Sequence, residues 1–180
     1  MIPYYNLKPQ HREIRKELNL KFADIIKSGN YVQGPEIVKF EKNFSNFLNA
    51  RHCIGLNSGT SALHLALLSL GIGRGDEVIT TPLTFVATIA AILYTGAKPI
   101  LVDIDEDTYN IDSQKIEQAI TRKTKAIIPV HLHGRISDMK KILTISKKYN
   151  LRIVEDSSQA HGARYGKKYS GTFGEIGTFS

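Results

Sequence analysis

The stretch Cys53-Ile54-Gly55-Leu56-Asn57-Ser58-Gly59-Thr60-Ser61-Ala62-Leu63 changes character twice within a few residues. Cys53 to Leu56 is a short apolar run that reads as a strand, Asn57 to Ser61 is a polar turn around one glycine, and helical spacing begins near Thr60. Strand, glycine turn and helix in that order form the first half of a parallel α/β unit. The pattern repeats downstream. Further apolar runs occur at Val78-Ile79-Thr80, Ile100-Leu101-Val102, Ala126 to Val130 and Arg152-Ile153-Val154. Helical segments lie between them at about 60–70, 85–94, 112–119 and 137–149, with Asp112 and Ser137 as expected N-caps. The expectation is an α/β fold with a mostly parallel central sheet flanked by helices.

Upstream of this stretch the pattern is purely helical. Ile14, Leu18, Phe22 and Ile25 form one stripe over 9–26, and Ser28-Gly29-Asn30 ends that helix. Gly34-Pro35 starts a second helix, since proline is favoured in the first turn. Val38, Phe40, Phe44, Phe47 and Leu48 should form its buried side. Without a repeat or linker, residues 1–180 read as one domain, the 1–30 helical segment included.

Composition narrows the class. With 42% hydrophobic and 23% charged residues, the chain has the balance of a soluble globular protein. The longest apolar stretch, Leu63 to Leu70, is broken by His64 and Ser69, too short for a membrane span. Lys8, His11, Arg12 and Arg15 leave no room for a secretory signal. A single cysteine, Cys53, excludes an internal disulfide, and a cytoplasmic setting follows most simply. The net charge of +7 comes from scattered basic residues without interleaved aromatics, so solvated helix faces are expected and nucleic acid is not. Such a charge does favour anionic small molecules. Gly71 to Gly75 follows a helix, so its glycines read as a helix exit, not a nucleotide loop.

Ligands of open α/β sheets bind beyond the carboxyl ends of the strands. Past the first run, Gly59, Thr60 and Ser61 open a helix whose free N–H groups form a phosphate seat, or Ser58 or Thr60 merely caps that helix. Past the second, Phe85 stands at a helix start, where a ring either stacks on a flat ligand or joins the core. Past the fourth lie His131 and His133, which at strand spacing point the same way, so a metal site is conceivable, but pocket lining or satisfied core histidines is the preferred reading and no metal is assigned. Past the fifth, Asp156 needs a partner, either a basic side chain or the protonated ring nitrogen of a cofactor. A phosphate seat, a stacking ring and a carboxylate for a pyridinium together describe pyridoxal 5′-phosphate (PLP).

Several stretches carry a more specific likeness: Gly34-Pro35-Glu36, Asn57 to Leu63, Thr81 to Thr88, Val102-Asp103-Ile104-Asp105, Val154-Glu155-Asp156 with Gln159-Ala160-His161-Gly162, and Gly171 to Gly174 with Thr178-Phe179-Ser180. In this combination and order the chain resembles the N-terminal portion of the DegT/StrS family of nucleotide-sugar aminotransferases. The segment 131–139 departs from the family at Arg135, which takes no role. The resemblance implies the large domain of PLP-dependent transferases of fold type I, incomplete at its C-terminus. It implies that Gly59, Thr60, Ser61 and Ser180 hold the cofactor phosphate, Phe85 stacks on the pyridine ring, Asp156 pairs with the ring nitrogen and Gln159 lies beside the ring hydroxyl. It also implies a homodimer, a nucleotide-linked keto sugar as substrate, glutamate as the usual amino donor, and a place in amino-sugar and polysaccharide biosynthesis.

The family's Schiff-base lysine lies a few residues past Ser180. Lys167 and Lys168 do not replace it, because Tyr165 to Tyr169 reads as an exposed hairpin turn. No catalytic residue is therefore assigned, and the 180 residues alone are expected to be inactive. Two alternatives stand beside the aminotransferase: the related sugar dehydratase, with histidine in place of that lysine, and a catalytically silent fragment.

Overall fold

The computed structural model describes Pro3 and residues 6–180; positions 1, 2, 4 and 5 of the expected N-terminal segment lie outside the described residues. Three helices come first: α1 (Lys8–Ser28), α2 (Pro35–Leu48) and α3 (Gly59–Ser69). Strands and helices then alternate as β1 (Glu77–Thr80), α4 (Val86–Tyr94), β2 (Lys98–Leu101), α5 (Ile116–Ala119), β3 (Thr124–Ile127), α6 (Met139–Tyr149) and β4 (Arg152–Asp156). A small hairpin, β5 (Arg164–Tyr165) and β6 (Lys168–Tyr169), precedes β7 (Ile176–Thr178). The main sheet has the order β2-β1-β3-β4-β7, with every pair parallel.

Side-chain alternation divides the core between the two faces of this sheet. Val78, Ala126 and Val154 pack on one face against Leu63 and Leu67 of α3 and Ala91 and Ile92 of α4. Ile79, Ile127 and Ile153 pack on the other against Ile116 of α5 and Met139 and Ile142 of α6. A parallel sheet covered on both faces explains why its strands read as nearly continuous apolar runs.

Three expectations need correction. Cys53 to Leu56 is not a strand among the described residues. A strand needs a neighbour's backbone ladder, and here the Gly55 N–H goes to the Glu41 carboxylate at 2.7 Å instead. The fifth strand of the sheet is Ile176–Thr178. Neither expected N-cap starts a helix. Asp112 closes a turn by accepting the N–H of Gln114, and α5 begins only at Ile116. Ser137 faces inward to the Val130 carbonyl and His131, so Asp138 caps α6 by accepting the Lys141 N–H. Finally, the stripe of α1 is not buried and that of α2 only in part: α1 has no buried residue, and on α2 Leu48 is buried and Phe44 half-buried against Phe179. Spacing marks a face that favours cover but does not supply the cover.

The remaining punctuation behaves as expected. Gly71 to Gly75 forms the exit from α3, with the Gly71 N–H on the Leu68 carbonyl. Lys167 lies exposed in the turn between β5 and β6.

Candidate functional site

The parallel order places the carboxyl ends of all five sheet strands along one edge. Asp156, the last residue of β4, lies in register with Thr178, the last residue of β7. Two residues further on, Ser180 reaches the start of α3. Gly59 sits so close to it that a Cβ at Gly59 would lie 2.7 Å from the Ser180 Cβ and 3.0 Å from its Oγ. Only glycine fits that approach. Residues 121 positions apart in sequence thus share one corner.

Ser58 is the α3 cap: its Oγ accepts the Ser61 N–H at 3.1 Å and lies 3.1 Å from the Ser61 hydroxyl. Thr60 takes no part in capping. The N–H groups of Gly59 and Thr60 belong to the first turn and have no intrahelical acceptor, which leaves donors and the positive end of the helix dipole beside the Ser180 hydroxyl. This arrangement suits a dianionic phosphate.

Asp156 is only 5% exposed. Among the described residues it forms no ion pair. Its Oδ2 accepts the Thr88 hydroxyl at 2.7 Å and its Oδ1 the Ser158 N–H at 3.2 Å. Among the described residues, no basic side chain serves as its partner. A buried carboxylate satisfied only by neutral donors retains a strong preference for a cation. A protonated pyridine nitrogen would answer it.

Phe85 is 71% exposed at the N-cap of α4, so it does not belong to the core. One helical turn later Thr88 holds Asp156, and Thr84 Oγ1 lies 2.8 Å from Thr88 Oγ1. The ring and the carboxylate are thereby tied to the same turn of α4. Gln159 is exposed, and its Oε1 accepts the N–H of His133 at 2.9 Å. That bond orients the amide and leaves its NH₂ to donate to an anionic oxygen. Gly59, Thr60, Ser61, Asp156 and Ser180 are thus brought to one sheet edge, with Phe85 and Gln159 on its flanks. The donor set fits PLP: open N–H groups and hydroxyls for the phosphate, and an unmatched carboxylate for the ring.

The two histidines part company. His131 is fully buried, with Nε2 2.8 Å from Glu155 and Nδ1 accepting the Ser137 N–H at 3.2 Å, so both ring nitrogens are engaged. His133 is exposed, with a backbone φ of 53°. Sequence reasoning gave no role to Thr88. The available signal was a threonine at i+4 from Thr84, pointing inward from an otherwise apolar helix face.

Comparison with known proteins bears on the family and the fold. Residues 12–180 match the model of the DegT/DnrJ/EryC1/StrS aminotransferase family. The chain is 44% identical over 180 residues to the dTDP-3-amino-3,6-dideoxy-alpha-D-galactopyranose transaminase of Aneurinibacillus thermoaerophilus, covering 100% of this chain and 50% of that protein. It superposes on S. venezuelae DesV with a TM-score of 0.92 at 42% identity, over 94% of this chain and 46% of that one. With NtdA from Bacillus subtilis, solved with bound cofactor PMP, the TM-score is 0.87 at 40% identity, over 94% and 39% of the two chains. The chain spans about half the length of the curated relatives it matches. Its α/β fold, with a five-stranded parallel sheet flanked by helices, corresponds to half of those aminotransferase structures. By sequence and by fold, this chain belongs to the DegT/DnrJ/EryC1/StrS aminotransferase family.

Proposed function

We propose that this chain forms the cofactor cradle of a PLP-dependent aminotransferase that moves an amino group, from glutamate, onto a nucleotide-linked keto sugar in amino-sugar and polysaccharide biosynthesis. The observation that carries the reading is Asp156, a buried carboxylate with no cationic partner among the described residues, on the strand next to the one that brings Ser180 to the start of α3. The transaminase name of the Aneurinibacillus relative and the cofactor bound to NtdA support it. The enzyme would work in the cytoplasm as a homodimer.

In this reading each residue has a defined task. Gly59 and Thr60 donate their N–H groups to the phosphate, and the hydroxyls of Ser61 and Ser180 add direct hydrogen bonds. The helix dipole alone contributes only about 0.3–1 kcal/mol at an exposed site, so these bonds carry most of the grip. Phe85 covers one face of the pyridine ring and excludes water from it. Asp156 holds the proton on the ring nitrogen, and Thr88 fixes the carboxylate that does so. Gln159 donates to the ring oxygen. The bound cofactor supplies an electron sink for the charge left when a proton leaves the carbon next to nitrogen.

A PLP titration of the intact gene product, followed by absorbance, tests the reading. Asp156→Ala is expected to weaken cofactor binding by roughly tenfold or more, the worth of a charge-assisted bond. It should also abolish turnover of a keto-sugar nucleotide with glutamate. Unchanged binding and rate would make Asp156 a structural residue and remove the basis of the proposal.

A further inference from the structure

The residue next to Asp156 faces away from the site, yet it is the better connected of the two. Glu155 lies in β4 with no exposure at all. Its carboxylate accepts four hydrogen bonds: His131 Nε2 at 2.8 Å, Gly171 N at 2.8 Å, Phe173 N at 2.6 Å and Gly174 N at 2.7 Å. Because the Ser137 N–H donates to Nδ1 of His131, Nε2 carries the proton given to Glu155. Three of the four donors are therefore backbone groups of one short strap, residues 171–174. That strap does not pair with a strand there; a side chain takes the place of the ladder.

We propose that Glu155 is a positioning residue for the phosphate seat. It fastens the strap, and the strap holds the segment from β7 to Ser180 against the start of α3. The proposal rests on the cofactor reading above. The link from strap to seat is steric. A Cβ on Gly177 of β7 would overlap the Gly171 carbonyl, and a Cβ on Gly171, whose φ is +78°, would lie 2.5 Å from the Phe179 ring. The strap thus lies directly against both Gly177 and Phe179, and Ser180 is the next residue. Alternation along β4 sends the Glu155 side chain to the face opposite Asp156, so it acts on a ligand at the sheet edge only through the strap.

This placement makes the phosphate end of the cofactor sensitive to Glu155 and the ring end insensitive. The test measures dissociation constants of PLP and of pyridoxal, which lacks the phosphate, on the intact gene product and its E155Q variant. Glutamine keeps the shape but turns an NH₂ toward donors, leaving buried N–H groups unpaired. The expected result is roughly tenfold weaker PLP binding, in the range set by one orphaned buried donor, with pyridoxal binding changed less than about threefold. Equal losses for both ligands, or no loss for either, overturn the proposal. Should E155Q fail to fold, hydrogen exchange on the wild-type protein decides. Coupling is reciprocal, so added PLP must slow exchange of the Gly171, Phe173 and Gly174 amides. Unchanged exchange at those amides overturns the proposal while the cofactor reading stands. Wild-type protein that takes up no PLP overturns both.

Discussion

In the sheet, Val78, Ile127 and Val154 are completely buried; in α1, Ile14, Leu18 and Phe22 remain 40%, 52% and 68% exposed. Both groups are apolar residues at regular spacing. The inner strands β1, β3 and β4 lie between two helical layers supplied within some tens of residues, so their apolar side chains are covered from both faces, whereas the edge strand β2 has no buried residue. The α1 stripe has no such layer among the described residues. Stability should therefore concentrate in 59–180, and α1 of the helical arm 8–48 should contribute little, whereas α2 joins the sheet edge through Phe44, edge-on to Phe179 at 5.1 Å, and Phe47, 5.1 Å from the Tyr169 ring. Cys53 to Leu56 lies between the two and is held to the arm by Glu41.

The sharpest way to break this contrast is in the core. Leu67→Ala on α3, fully buried against the sheet, should cost about 2–5 kcal/mol in a chemical denaturation experiment. A loss below 1 kcal/mol, by the same measure, would show that the sheet face is loosely packed. Next comes Gly59→Ala. Glycine to alanine within a helix is ordinarily stabilising, but the Ser180 side chain occupies the space of the new methyl group. We expect a destabilisation of about 1–3 kcal/mol together with weaker PLP binding; a stabilised variant would mean that Ser180 does not abut α3 in solution.

Phe85→Ala separates site from scaffold. Its exposed ring supports no core, so thermal stability should hold while PLP binding weakens by about 0.5–1.5 kcal/mol, read by absorbance titration. A lowered melting temperature would return Phe85 to a structural role. In the arm, Leu18→Ala should change stability by no more than about 0.5 kcal/mol. A larger loss would reveal a cover for α1.

The smallest effect concerns the junction. Burial, and then the neighbouring Glu41 carboxylate, push the Cys53 thiol up from its ordinary value. The thiolate is the reactive form, so the raised value means less thiolate at any given pH below it. Iodoacetamide labelling should be slow near neutral pH, and Glu41→Gln should move the rate profile to lower pH. A profile indifferent to Glu41 would separate the arm from Cys53.

Much of the site was legible because its residues sit in short local patterns. A glycine turn before a helix announced the open start of α3, and a carboxylate ending an apolar run announced the buried Asp156. The partners of Thr88 and Glu155 were not legible, since they lie 68 and 16 to 24 residues away and neither residue type names its partner. Cys53 to Leu56 misled for the opposite reason. Its composition suits a strand, but pairing is a property of two segments and no neighbour among the described residues supplies the ladder.

The sequence by itself determined the α/β alternation, the helix starts at Pro35 and Gly59, and the polar groups that follow the strands, because propensity, capping and side-chain chemistry act over a few residues. Only the tertiary structure decided which apolar stripes are buried, that Ser180 meets Gly59, that Asp156 has no ion-pair partner among the described residues, and that Glu155 anchors the strap. These facts depend on packing between segments far apart in the chain, and contact energies become defined only when both partners are in place.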